Sequence, residues 1–181
     1  MKRMARSHRG TIAILAVLAL WLGSIAPLSA AAVTPAESSV SVAYVNPEQF
    51  AENRLYGRQD RFNRIDYLAQ LEAYLIKQGQ AVLKPGQSLH VDITDIRLAG
   101  AYEPWRGPQW SYVRIMRDIY SPRIDLDFRL VDQDGHVLRD GKRVLRDLDY
   151  LHSGVPSATG ASLYYDKALL RRWLRRGPDK L

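Results

Sequence analysis

Hydrophobic and polar residues alternate with a period of two in several stretches of the chain, which is the pattern of β-strands with one buried face. In the clearest stretch, 124–130, Asp125, Asp127 and Arg129 face away from the apolar residues. Antiparallel sheets expose one face to water in this way. The predicted strands are 39–45, 88–93, 113–119, 124–130 and 136–150.

The alternation in the second predicted strand slips by one residue after Ile93, because Ile96 and Leu98 fall out of phase with the apolar residues before them. Such a slip predicts a β-bulge or bend near Thr94 and Asp95. Bulges often lie at the rim of a sheet, where they redirect side chains. Asp95 is therefore a carboxylate of special interest.

Two turns are predicted from dipeptides that favour positive backbone angles. Asp134-Gly135 predicts the hairpin that joins the fourth and fifth strands. Asp140-Gly141 predicts either a second turn or a glycine bulge within the fifth strand.

Apolar residues recur at three- and four-residue steps in two segments, which predicts amphipathic helices over 60–78 and 163–175. Asp60 is the predicted N-cap of the first helix and Gly79 its stop. The order of elements predicts an α+β two-layer sandwich, a mainly antiparallel sheet of about five strands with two helices packed on one face.

The N-terminus has the order of a secretory signal peptide. Four basic residues within the first nine positions precede the apolar run 11–26, and small residues follow at 29–32. The run is shorter than the roughly 20 residues that span a bilayer. We expect cleavage near Ala30 or Ala31, with an uncleaved anchor as the alternative.

The expected organisation is a signal peptide over 1–31, a flexible leader over 32–38 and a single domain over 39–181. No cysteine follows the apolar run, so the mature chain has no residue for an N-terminal lipid. The expected location is periplasmic or secreted, without a stable membrane anchor after cleavage.

Composition excludes several classes of function. The 181 residues carry a formal charge of +7 and no cysteine, which removes thiol chemistry and disulfide frameworks. Four unbalanced basic residues lie ahead of the apolar run; the remaining 22 Lys and Arg exceed the 19 Asp and Glu by three. So small an excess does not predict nucleic acid binding.

Three blocks of sequence resemble the DUF3016 family of exported bacterial proteins. They are Leu83–Gly100 (LKPGQSLHVDITDIRLAG), Tyr120–Leu126 (YSPRIDL) and Leu163–Trp173 (LYYDKALLRRW). The resemblance spans most of the mature chain. It implies an exported location and one intact domain, and it carries over no catalytic residue, because the family has no assigned activity.

A loop rich in aromatic residues lies between the second and third predicted strands. Aromatic rings beside a few polar groups suit stacking on a sugar or peptide. The alternative, which the large area of a Trp ring favours, is that Trp105 and Trp110 pack against the end of the core. The candidate ligand-binding residues are Tyr102, Glu103, Trp105, Arg106, Trp110 and Tyr112.

Carboxylates on neighbouring predicted strands allow an acid/base pair or a cation site. The simpler interpretation is that they form cross-strand ion pairs on a solvated face. The carboxylates are Asp92, Asp95, Asp118, Asp125 and Asp127, and their expected partners are Arg97, Arg114, Arg117 and Arg129.

No catalytic motif, metal motif or cofactor fingerprint is present, so no catalytic residue, metal or cofactor is assigned. Residues 132–135 resemble a calcium loop only superficially, because the positions that supply the ligands of such a loop do not hold suitable side chains here. The basic C-terminal residues 171–176 fit a helix end that complements its own dipole, with anionic lipid as the alternative partner.

Two functions remain. The first is a non-catalytic envelope module that binds an envelope protein, glycan or peptide through the aromatic loop and an exposed sheet edge. The second is a carboxylate-dependent hydrolase of the cell envelope that uses Asp95 and Glu103, which requires the two side chains to share a pocket with raised pKa values.

Overall fold

The computed structural model describes residues 39–62, 66–153, 163–177 and 180–181. The expected signal peptide and leader, and most of the polar segment after residue 150, lie outside the described residues. The helices are α1 (Ala51–Phe62), α2 (Tyr67–Gln80) and α3 (Tyr164–Leu174). The strands are β1 (Ser39–Tyr44), β2 (Ser88–Arg97), β3 (Ala101–Tyr102), β4 (Arg114–Ile115), β5 (Arg123–Val131) and β6 (Val137–Arg146).

Four strands form the main sheet, in the order β1-β2-β5-β6. β2, β5 and β6 are antiparallel neighbours, whereas β1 runs parallel to β2. A parallel pair needs a long crossover, and α1 and α2 supply it. The α+β class and the mainly antiparallel sheet are thus confirmed, with one parallel edge.

The predicted third strand is wrong as a member of this sheet. Within 113–119 only β4 is extended, and it pairs with β3 in a separate two-stranded sheet. Alternation of apolar residues over so few positions does not fix which strand a segment pairs with, because pairing depends on distant parts of the chain.

The predicted first helix is wrong in its boundaries, and the described residues contain three helices instead of two. α2 begins after Asp66, whose side chain accepts a 3.0 Å hydrogen bond from the Ala69 amide. Asp60, the predicted cap, lies inside α1 instead. Gly79, the predicted stop, lies inside α2 and packs against Val40 of β1.

The core lies between one face of the main sheet and the helices. Apolar residues from β2 and β5 pack there against α2, α3 and Phe50, which precedes α1. Trp173 of α3 meets the ring of Phe128 edge to face at 5.9 Å. The opposite face of the sheet carries polar side chains, as the alternation predicts.

Two local predictions are confirmed. The β2–β5 register shifts between Ile93 and Asp95, so the bulge lies where the alternation slips. Asp134-Gly135 forms the turn between β5 and β6, with Gly135 at φ 82°. Asp140-Gly141 is not a turn, because Gly141 pairs with Phe128 inside β6; the irregularity of β6 lies nearer the hairpin.

We expect Gly79→Ala to destabilise the protein, because an added Cβ meets Val40 Cγ2 at 2.9 Å. The overpacking outweighs the better helix propensity of Ala and leaves a net loss of about 1 kcal/mol. Gly57→Ala in α1 is the matched control: its Cβ has no neighbour closer than 3.5 Å, and the substitution stabilises. Urea unfolding measures both. An equal gain for the two variants contradicts the close packing of α2 on β1.

Candidate functional site

The predicted aromatic loop lies within residues 98–122, which leave the main sheet after β2 and return to it at β5. We call this segment the excursion. It contains the small β3–β4 sheet and two short 3-10 helices that begin at Pro104 and Pro108. Proline fits the first position of a helical turn because that position needs no amide donor.

The predicted ligand-binding residues separate into a buried pair and an exposed group. Tyr102 and Glu103 are buried, whereas Trp105 is 72% exposed and Trp110 is 39% exposed. The alternative in which both Trp rings close the core is therefore wrong for Trp105. Arg106 lies 5.7 Å from the centre of the Trp110 ring, a cation–π contact at the surface.

Several further apolar side chains of the excursion are exposed. Ile119 is 68% exposed, close to the value for Trp105. Large exposed apolar side chains within one short segment are typical of interaction surfaces. We call the following residues the apolar surface of the excursion: Trp105, Trp110, Tyr112, Val113, Met116 and Ile119.

Glu103 ties the middle of the excursion to its end. Its Oε1 accepts hydrogen bonds from the Tyr120 hydroxyl at 2.8 Å and from Arg117 Nη1 at 3.1 Å, and its Oε2 lies 3.5 Å from Arg106 Nε. The hydrogen bond from Tyr120, with the two guanidinium groups, lowers the pKa of Glu103. A carboxylate held ionised in this way is an anchor rather than a proton donor.

Arg114 of β4 anchors the excursion to α1. Its guanidinium pairs with Glu52 Oε1 and lies 5.5 Å and 5.0 Å from the ring centres of Tyr56 and Tyr102. The second oxygen of Glu52 accepts a 2.8 Å hydrogen bond from the Leu98 amide. Burial raises the pKa of Glu52 to about 7, against the lowering effect of Arg114.

Two more buried carboxylates hold the start of the excursion. Asp60 of α1 accepts a 2.8 Å hydrogen bond from the Tyr102 hydroxyl, and Asp166 of α3 accepts a 3.0 Å bond from the Ala99 amide. Burial raises the pKa of Asp166 to about 6. Glu52, Asp60 and Asp166 are not recognisable as a group from the sequence, because they lie on two helices whose packing against the excursion no periodicity reveals.

Asp95, the bulge carboxylate, does not meet Glu103. Its Oδ1 accepts a 2.7 Å hydrogen bond from the Ala51 amide at the start of α1. It lines a cleft of about 210 Å³ beside that helix end, and Glu103 is not among the lining residues. The pair that the hydrolase hypothesis requires is therefore not brought together.

Two of the predicted carboxylates, Asp125 and Asp127, make ion pairs, and neither pairs with a predicted partner. Asp127 pairs with Lys142 across β5 and β6 at 3.3 Å, and Asp125 pairs with Arg123 two residues earlier at 2.5 Å. Of the predicted partners, Arg114 instead pairs with Glu52 of α1 and Arg117 with Glu103 of the excursion.

Asp132, Asp134 and His136 place their ligand atoms within 4.8 Å of one another. The hairpin turn accounts for this arrangement, since Asp132 Oδ1 accepts hydrogen bonds from the amides of Asp134 and His136 at 2.9 Å. These contacts are those of an Asx-type turn at the surface.

Comparison with known proteins gives one family and no function. The model of a family described as "Protein of unknown function (DUF3016)" matches residues 38–176. No curated protein matches the chain. Among solved structures, the lipoprotein GNA1162 from Neisseria meningitidis is 13% identical, with 62% of this chain and 83% of that chain covered. The TM-score of 0.24 is too low to support an inference.

We expect Asp166→Asn to stabilise the protein at neutral pH. Because burial raises the pKa of Asp166 from 3.8 to about 6, its contribution is most favourable below pH 4 and is lost as the pH rises through 6. Asn keeps the acceptor for the Ala99 amide and removes the charge, a gain of up to about 3 kcal/mol at pH 7.

Urea unfolding between pH 4 and pH 7 measures this difference. Asp118→Asn, at an exposed position of the excursion, is the matched control. If Asp166→Asn and the parent protein keep a constant difference in stability across this pH range, the buried carboxyl group does not titrate as described.

Proposed function

The chain belongs to the DUF3016 family of proteins of unknown function, and we propose that it is an exported, non-catalytic module that binds a protein partner in the bacterial cell envelope. The observation that carries the proposal is the 72% exposure of Trp105 on an excursion whose buried side is anchored to the rest of the domain. A fold gains nothing for itself by holding so large a ring in water.

The excursion supports binding because it is anchored. Glu103 joins Arg106, Arg117 and Tyr120, and Arg114 joins the excursion to α1. Side chains on an anchored segment lose less conformational entropy when a partner binds. The apolar surface of the excursion is thereby presented in a defined arrangement.

The composition of this surface favours a protein over a glycan. Trp, Tyr, Met and Arg are enriched at protein interfaces. Val113, Met116 and Ile119 offer neither a flat ring nor a hydrogen-bonding group to a sugar, but they pack well against apolar side chains. The exposed guanidinium groups of Arg106 and Arg117 supply a polar rim.

The hydrolase alternative has no support of this kind. Asp95 and Glu103 do not share the cleft that Asp95 lines, and the pKa of Glu103 is lowered, whereas a general acid needs a raised pKa. Glu52 and Asp166 have raised pKa values, but both bind backbone amides in the protein interior.

We further propose that residues 1–31 are a cleaved signal peptide, that 32–38 form a leader and that the mature protein is periplasmic or secreted. The basic residues, the apolar run and the small residues of the N-terminus support export. None of the helices among the described residues has the length and apolar character that crossing a bilayer requires.

We expect the protein isolated from its native cells to begin near Ala31 or Ala32. Intact-mass spectrometry of the purified protein measures the N-terminus directly. Material that still begins at Met1 contradicts cleavage.

The binding proposal is tested with Trp105→Ala/Trp110→Ala. Tagged protein and variant are captured from native envelope fractions, and companions are quantified by mass spectrometry. We expect recovery of specific companion proteins to fall at least about tenfold, since central aromatic residues dominate binding energy. Thermal unfolding should change little, because Trp105 and Trp110 are both exposed and neither packs in the hydrophobic core.

Val144→Ala/Leu148→Ala is the matched control. Both residues are large, apolar and exposed, and both lie outside the excursion. Equal recovery of companions by the two double variants overturns the proposal. A different result is that the parent protein sediments with purified peptidoglycan, the Trp variant does not, and no companion protein is recovered. That result contradicts a protein partner and identifies a glycan as the ligand.

A further inference from the structure

Four arginines line the cleft of about 210 Å³ that also contains Asp95. They come from four elements: Arg54 from α1, Arg97 from β2, Arg123 from β5 and Arg146 from β6. Ala51, Leu55 and Ser121 complete its lining. The cleft lies between the first turns of α1 and one end of the main sheet.

Three of these arginines form one row across the sheet. Arg97 lies directly opposite Arg123, and Arg123 lies directly opposite Arg146, in the hydrogen-bonded register of β2, β5 and β6. Like charges at directly opposite positions destabilise a sheet. A row of three guanidinium groups therefore needs anions nearby.

The protein supplies only part of that negative charge. Asp125 forms a bidentate pair with Arg123, at 2.9 Å and 2.5 Å. Asp95 contributes a second carboxylate, and one of its oxygens is already used by the Ala51 amide. Four positive charges thus face two negative charges.

The other three guanidinium groups have no carboxylate partner among the described residues. The part of the chain that the structure describes shows no ion pair for Arg54, Arg97 or Arg146. Arg146 makes one long hydrogen bond, from Nε to Ser121 Oγ at 3.4 Å. These groups retain most of their donors for a ligand.

We propose that this arginine cleft binds a phosphoryl group. Guanidinium groups bind phosphate oxygens through paired N–H donors, and an excess of two positive charges matches a phosphate dianion better than a single carboxylate. The volume lies below the ~300 Å³ at which pockets for drug-sized ligands begin, so the cleft suits one phosphoryl group with few further atoms.

The phosphoryl group can belong to a soluble phosphomonoester or to an anionic lipid headgroup, and two assays separate these sources. Isothermal titration calorimetry measures binding of inorganic phosphate and of glycerol phosphate at constant ionic strength. Sedimentation measures binding to phosphatidylglycerol vesicles, with phosphatidylcholine vesicles as the reference. Cleft-dependent binding in either assay supports the proposal and identifies the source.

We expect Arg97→Gln/Arg146→Gln to weaken binding at least about tenfold, because two paired donors are lost. Arg58→Gln/Arg129→Gln removes the same charge at exposed positions outside the cleft and should leave the affinity within about twofold. Asp95→Asn keeps an oxygen for the Ala51 amide, removes a negative charge and should tighten binding.

Arg54→Gln tests the contribution of the one cleft arginine that lies on α1. Its side chain is exposed, so the substitution should not affect the sheet. It should weaken binding even if the double variant of the sheet does not fold. Two results overturn the proposal: no binding of either phosphate compound or of anionic vesicles, or equal weakening by the cleft variants and the Arg58/Arg129 control.

Discussion

The buried pair of Arg114 and Glu52 is the contact on which the arrangement of the excursion depends. An isolated charge in the interior costs several kcal/mol, so each side chain requires the other. Glu52 also binds the Leu98 amide, and Arg114 lies against the rings of Tyr56 and Tyr102. One ion pair therefore fixes α1, the end of β2 and the β3–β4 sheet in a single geometry.

This constraint explains why the excursion has two different sides. Its buried side is anchored by polar contacts, with carboxylates of α1 and α3 bound to the Leu98 and Ala99 amides. Its exposed side carries Trp105 and Ile119, which contribute little to the core. A binding loop on a rigid scaffold has these same two properties, an anchored buried side and an exposed apolar side.

Local features of the fold were predictable from sequence, and distant pairings were not. The slip after Ile93 and the Asp134-Gly135 turn depend on neighbouring residues, and both were placed correctly. The partner of Arg114 lies 62 residues away, and the predicted carboxylates were those of the open sheet face. Exposure of Trp105 was likewise undecidable, because a Trp serves equally well in a core and at an interface.

The bulge after Ile93 links the predictable part of the sequence to the arginine cleft. In a regular strand, Asp95 and Arg97 would lie on the same face as Ile93, inside the core. The one-residue shift places Ile96 and Leu98 in the core instead and turns Asp95 and Arg97 to the other side. There Asp95 binds the start of α1, and Arg97 joins the row formed with Arg123 and Arg146. A single extra residue in β2 thus decides whether Asp95 and Arg97 lie in the arginine cleft or on the core face of the sheet.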